Sequence, residues 1–160
     1  MSISGLLAFA RDASFAVQNI SMLKIDDPLA IRTGLTVGEE WLVASGFRYS
    51  NEDGLPFCWT EYYINRAYAS IGRILPRHKG AIFPLLEDMF GVTVAEVDQE
   101  ISATLTSVDM AAKLRVDVGS AALEVRRSYK TAGQDIVQVT VNIHPASRFK
   151  HTMTMQRVKV

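Results

Sequence analysis

Placing residue 20 of this chain over residue 101 brings identical residues together at wide intervals. Ile20 falls over Ile101, Ser21 over Ser102, Ala30 over Ala111, Val37 over Val118, Gly38 over Gly119 and Leu42 over Leu123. A repeat this long is not the unit of a solenoid, whose units run to roughly 50 residues. It fits a duplicated supersecondary unit, and local signals say what the unit contains. Residues 15–25 are rich in β-favouring side chains and read as a strand. Asp27 and Pro28 then supply a helix cap and a proline at the first helical position, with Gly34 as terminator. In the second copy Ser107 caps a helix over residues 108–114, and Gly119 marks the following turn. Residues 41–50 and 57–64 flank Asp53-Gly54, and 122–129 and 136–143 flank Gly133, so each copy ends in a hairpin. Arg48 and Arg127 lie on the first strands of these hairpins. Between the copies, 66–75 and 80–90 show apolar residues at helical spacing, with Pro84 tolerable in a first turn and Gly91 just past an end. Residues 149–160 alternate and are expected to form a terminal strand. Strands outnumber helices and hairpins imply antiparallel pairing, so the expected class is α+β.

Composition narrows the function classes. The chain has 160 residues, 48% of them apolar, which suits a single domain over 1–160 with one core. Seventeen basic and 17 acidic residues balance, so no surface here is built to neutralise nucleic-acid phosphates. No apolar run is long enough to span a membrane, and the short apolar stretch near the N-terminus lacks the basic flank of a secretory signal. The lone Cys58 excludes an intrachain disulfide and suits a reducing cytoplasm.

Motifs for chemistry are missing. His78, His144 and His151 are far apart and no HxxxH, HExxH or CxxC spacing occurs, so neither a metal nor a cofactor is expected. Cys58, in PFCWT, reads as a small buried hydrophobe rather than a nucleophile. GxSxG, Walker A and GxGxxG patterns are also absent, and no residue is assigned a catalytic role. The polar residues of the hairpins say more. A guanidinium inside a sheet needs a partner. Arg48 and Glu61 either pair across the first hairpin on a solvated face, or offer a ligand an arginine fork and a carboxylate for its hydroxyl or amine. Gln138 and His144 are evenly spaced on one strand and share a face if no bulge intervenes. His144, just before Pro145, reads either as a loop-end residue or as a ligand contact. Alternation sends Arg126 and Arg127 to opposite faces, one solvated and the other packed along the sheet.

The ordered set QEISA (99–103), AAKL (111–114), VG (118–119), ALEVRRSY (122–129) and NIHPASRF (142–149) resembles the UTRA domain. That is the effector-binding domain of the HutC subfamily of GntR-type bacterial transcription regulators. LPFCWTEYYI (55–64) and FPLLEDMFG (83–91) fit it too, and the resemblance runs from about Leu7 to Arg157. It implies a chorismate-lyase-like fold, a mainly antiparallel sheet with helices packed on one side, and a homodimer. It also implies that a small-molecule effector alters the placement of an N-terminal winged-helix domain, through which alone DNA is contacted. No helix-turn-helix precedes Phe9, so the expectation is a truncated chain or a stand-alone sensor.

Carried over from the family, Arg48 matches an anion-contacting arginine and Glu61 the glutamate of the returning strand. Phe9, Ala10 and Arg11 match a segment whose backbone meets the ligand. Gln138 stands where many members have glutamate, and His144 where many have tyrosine. Members that bind sugar phosphates carry Ser-x-Tyr near residue 81, where this chain has Ala81-Ile-Phe83. A second arginine two positions from the first is replaced by Gly46 or Ser50. Both departures favour a small organic, even aromatic, carboxylate held by Arg48 and flanked by Phe9, Trp59 or Tyr63; the histidine-utilisation branch, whose effector is urocanate, is one example of that chemistry. The competing readings are a chorismate-lyase-like enzyme and a dimerisation module without ligand.

Overall fold

Two three-stranded meanders meet at their last strands. In the computed structural model, which describes residues 13–50 and 54–159, the strands are β1 (Ala13–Lys24), β2 (Glu40–Ser50), β3 (Pro56–Asn65), β4 (Glu96–Leu105), β5 (Ala121–Lys130) and β6 (Ile136–Pro145). They form one sheet in the order β1-β2-β3-β6-β5-β4, antiparallel throughout, with β3 and β6 paired at the seam. The class is α+β. Helix α1 (Asp27–Thr33) joins β1 to β2 and α3 (Val108–Leu114) joins β4 to β5; α2 (Phe83–Phe90) lies in the link between the halves.

The repeat is reproduced bond for bond. The Asp26 side chain accepts from the Leu29 amide at 2.9 Å to start α1, and Ser107 accepts from the Met110 amide at 3.1 Å to start α3. Both helices have seven residues and end on a left-handed residue, Gly34 (φ 76°) and Arg115 (φ 57°). The Gly38 amide donates to the Ile25 carbonyl at 2.8 Å, and the Gly119 amide to the Thr106 carbonyl at 2.9 Å. Alternation along the strands then gives each meander two faces. On one side, Trp41, Val43, Tyr63, Val139 and Val141 pack under Leu29 and Ala30 of α1, and Trp59 and Ile143 under Met110 and Leu114 of α3. The two repeat helices therefore lie together on that side. On the other, Leu42, Tyr62 and Ile64 meet Ile71, Leu75, Ile82 and Leu86 of the β3–β4 link.

Three local expectations are corrected. The α1 cap is Asp26, with Asp27 in the first turn. Residues 66–75 form not an α-helix but a 3₁₀ segment, Arg66–Arg73, broken at Tyr68 and followed by a second, Leu75–Arg77. Gly72, close beneath Leu42, and Pro76 give this stretch poor α-helical character. The expected β5–β6 hairpin forms around Gly133, with Gln134 as its left-handed residue (φ 70°). Residues 149–159 form no strand; this tail is largely exposed and pairs with neither sheet edge, and alternation without a neighbour makes no ladder.

Candidate functional site

Register decides which polar side chains meet. Arg48 lies opposite Cys58, Tyr62 opposite Thr140, Thr60 opposite Asn142, and Thr140 opposite Arg127. All of these therefore point to the side of the sheet away from α1 and α3. Arg48, Tyr62, Arg127, Tyr129, Gln138, Thr140 and Asn142 line one cavity, roofed by Ala81, Ile82 and Phe83. Its free volume is about 30 Å³, room for little more than an ordered water. A larger guest requires the roof to yield. As the sequence implies, Ala81 and Phe83 bring no hydroxyl, but Tyr62, Tyr129 and Thr140 supply three from the sheet.

The cavity is cationic. Arg48 is 7% exposed, donates to the Tyr62 hydroxyl, and lies 5.8 Å from the Phe15 ring centroid and 5.7 Å from that of Tyr62. Burial holds its pKa below the usual arginine value, and the charge of Arg127 adds to this. Arg127 is pushed down by burial in the same way, and its Nε donates to Gln99 Oε1 at 2.8 Å. Among the described residues neither guanidinium forms an ion pair with a carboxylate. Burial raises the pKa of Tyr129, opposed by Arg127 and by hydrogen bonding with Thr140. Gln138 is 1% exposed; its Nε2 donates to Thr140 Oγ1 at 2.7 Å, and its Oε1 has no partner among the described residues. Beside the cavity His144 stacks on Phe149 with centroids 3.9 Å apart. Burial, then Arg127 and Arg48, push its pKa down to about 4, and its Nδ1 has no partner among the described residues.

Glu61 is elsewhere. It pairs with Ser45, an odd number of residues from Arg48, and so faces α1 on the opposite side of the sheet. There it accepts from Arg32 Nε at 2.8 Å, Arg32 Nη2 at 3.1 Å, the Trp59 indole at 2.9 Å and the Tyr63 hydroxyl at 2.8 Å. Burial alone would raise its pKa, but the Arg32 pair and these donors hold it below the usual carboxylate value. The structure thus corrects both expectations for this pair: Arg48 and Glu61 neither bridge the hairpin nor share a pocket. Trp59 and Tyr63 go with Glu61, so Phe15 and Tyr62 are the rings beside Arg48. Gln138 and His144 do share the face of Arg48. Phe9, Ala10 and Arg11 lie outside the described residues. Cys58 is fully buried, and burial pushes its pKa up to about 11, which keeps the thiol unreactive. As alternation required, Arg126 and Arg127 part, Arg126 pairing with Glu100 at 2.9 Å. Among the described residues no group of acidic, histidine or cysteine side chains could hold a metal.

Sequence reasoning gave no ligand role to Arg127, Tyr129 or Thr140, yet the repeat pointed to the first two. The offset that lays residue 101 on residue 20 lays Arg127 on Gly46 and Tyr129 on Arg48. The cavity does hold a second arginine, contributed by the other copy of the repeat.

Residues 10–150 match the model of the UTRA domain. The chain belongs to the UTRA family. Its fold is similar to that of several solved regulators. The ligand-binding domain of a GntR-family transcriptional regulator from Bordetella bronchiseptica superposes with a TM-score of 0.76 at 19% identity, over 92% of this chain and 91% of that one. The effector domain of PhnF from Mycobacterium smegmatis gives 0.76 at 17% identity, over 91% and 88%. The C-terminal domain of the histidine utilization repressor from Pseudomonas syringae pv. tomato gives 0.70 at 17%, over 91% and 99%. No curated protein sequence matches this UTRA domain.

Proposed function

We propose that this UTRA domain senses an effector for a GntR-type transcriptional regulator, and that the effector is a small organic carboxylate bound between Arg48 and Arg127. One observation carries the reading: the buried Arg48 and the half-buried Arg127 face one cavity, and neither guanidinium has an acidic partner among the described residues. A buried cation without a counter-ion is costly, and an anionic guest offsets that cost. Arg48 belongs to the first half of the repeat and Arg127 to the second, so a bound carboxylate ties the halves across the β3–β6 seam. Signalling then follows from linkage. The effector stabilises the arrangement it binds better, and a coupling of about 1–3 kcal/mol shifts operator affinity some 5- to 150-fold. DNA is contacted by a winged-helix domain of the same regulator, acting as a cytoplasmic homodimer, and the domain binds its ligand without turning it over. Glu61 takes no part in this reading.

The test is thermal unfolding of the purified chain against small organic acids, aromatic acids and sugar phosphates. A ligand at 100 times its Kd adds about 2.7 kcal/mol of stability. A carboxylate should produce that shift in the parent chain and none in Arg48→Met. Stabilisation by sugar phosphates alone, or by nothing in the panel, overturns the carboxylate reading.

A further inference from the structure

A second feature of the cavity says what the rest of the effector must carry. Gln138 is 1% exposed and lines the cavity, yet among the described residues nothing donates to its Oε1. The orientation of the amide follows from its surroundings. Its Nε2 donates to Thr140 Oγ1, leaving the Thr140 proton for the Tyr129 hydroxyl, which also faces Arg127. Turning the amide over would set its oxygen on Thr140 and bring an N–H into a cavity that already holds two guanidiniums. The chain Gln138–Thr140–Tyr129–Arg127 thus leaves one acceptor oxygen aimed at the guest. Buried acceptors without a partner are rare and costly, and one at a cationic cavity is satisfied when a ligand brings a donor.

Building on the carboxylate reading above, we infer that the effector is a hydroxy- or amino-substituted carboxylate, its acid group between Arg48 and Arg127 and its O–H or N–H donating to Gln138 Oε1. Strand geometry allows this. Arg48 and Arg127 lie on β2 and β5, three strand spacings (about 14 Å) across the sheet and, by register, four residues (about 13 Å) along it, a gap that two extended arginine side chains and a guest between them can span. Both side chains reach inward over Tyr62 and Thr140, and Gln138 is two residues along β6 from Thr140. A flat carboxylate with no donor would seat its acid group and leave the Gln138 oxygen dry. That is the kind of mismatch by which a polar site rejects an analogue lacking the hydroxyl.

The experiment is titration calorimetry with matched pairs: propionate against lactate and alanine, succinate against malate and aspartate, cinnamate against phenyllactate. Glycerol 3-phosphate serves as the phosphate arm. In at least one set the hydroxy or amino member should bind about tenfold tighter than its unsubstituted partner. In Gln138→Met the members of that set should come within about threefold of each other, while Arg127→Met weakens all of them. Equal binding within every set, or a preference that survives Gln138→Met, overturns the inference and leaves the carboxylate reading standing. Binding of glycerol 3-phosphate alone, or of nothing in the series, overturns both. Circular dichroism of each variant establishes that a lost response is not lost folding.

Discussion

A guanidinium buried without an anion costs the empty domain free energy that only a guest returns, so Arg48 should oppose stability while serving binding. Arg48→Met is therefore expected to raise unliganded stability by about 1 kcal/mol in urea denaturation, because a packed apolar side chain replaces an unpaired charge. The same variant should lose effector-induced stabilisation. Glu61→Gln is expected to do the reverse. It breaks a pair with Arg32 in which the side chains are 29% and 15% exposed, and it weakens the acceptor shared by Trp59 and Tyr63. The cost should be about 1–3 kcal/mol, with the effector response intact. If Glu61→Gln instead abolishes that response while the fold stays stable, the division of labour between the two faces is wrong. Gln138 and His144 were legible as a pair because alternation within a strand needs no knowledge of the partner. Glu61 was not, because its face relative to Arg48 depends on hairpin register, and the β2–β3 pairing shifts between Arg48 and Tyr49. A slip of one residue moves a whole strand to the other face.

The elements of the repeat were legible because their ends are written locally. Ser107 and the α3 boundaries came directly from capping chemistry, and α1 was misplaced only by one cap residue. The 3₁₀ segments and the strandless tail were not legible, since periodicity states which face is apolar but not whether a neighbour exists to meet it. Two predictions belong at this scale. Ser107→Ala removes the bond to the Met110 amide and should cost about 1 kcal/mol, read from the shift in denaturation midpoint. Arg115→Gly should gain about 0.5–1 kcal/mol. Arg115 ends α3 at φ 57°, where the matching position after α1 carries Gly34. What this substitution must not disturb is the Arg115 carbonyl, which accepts from Arg148 at 3.1 Å, while Arg148 also reaches the carbonyls of Leu114 and Pro56. That arginine ties the end of α3 to the start of β3, and glycine keeps the carbonyl it needs. A midpoint that falls in Arg115→Gly would show that the side chain, rather than the backbone angle, is what the position requires.

For the molecule as a whole, the charge collected on one side of the sheet makes stability depend on pH through His144. This ring is 3% exposed, stacked on Phe149, and faces the field of Arg127 and Arg48. Its pKa falls from 6.5 in the unfolded chain to about 4 in the folded one. Between those values the unfolded chain holds the extra proton, so stability is fully present above pH 6.5 and declines as pH drops toward 4. Across the window the loss amounts to about 3 kcal/mol from this residue. His144→Phe keeps a ring against Phe149 and removes the titration, so its denaturation midpoint should fall less steeply over the same range. An effector carboxylate between Arg48 and Arg127 should act in the same direction as that substitution. By cancelling part of the positive field it eases protonation of His144, and the pH slope of the bound domain should be shallower than that of the empty one. Denaturation midpoints at several pH values, with and without effector, for the parent chain and His144→Phe, contain the whole comparison. Equal slopes in all four series would mean that the ring does not sense the cavity. A slope flattened by effector in the parent but not in His144→Phe would mean that the proton and the carboxylate answer to the same two arginines.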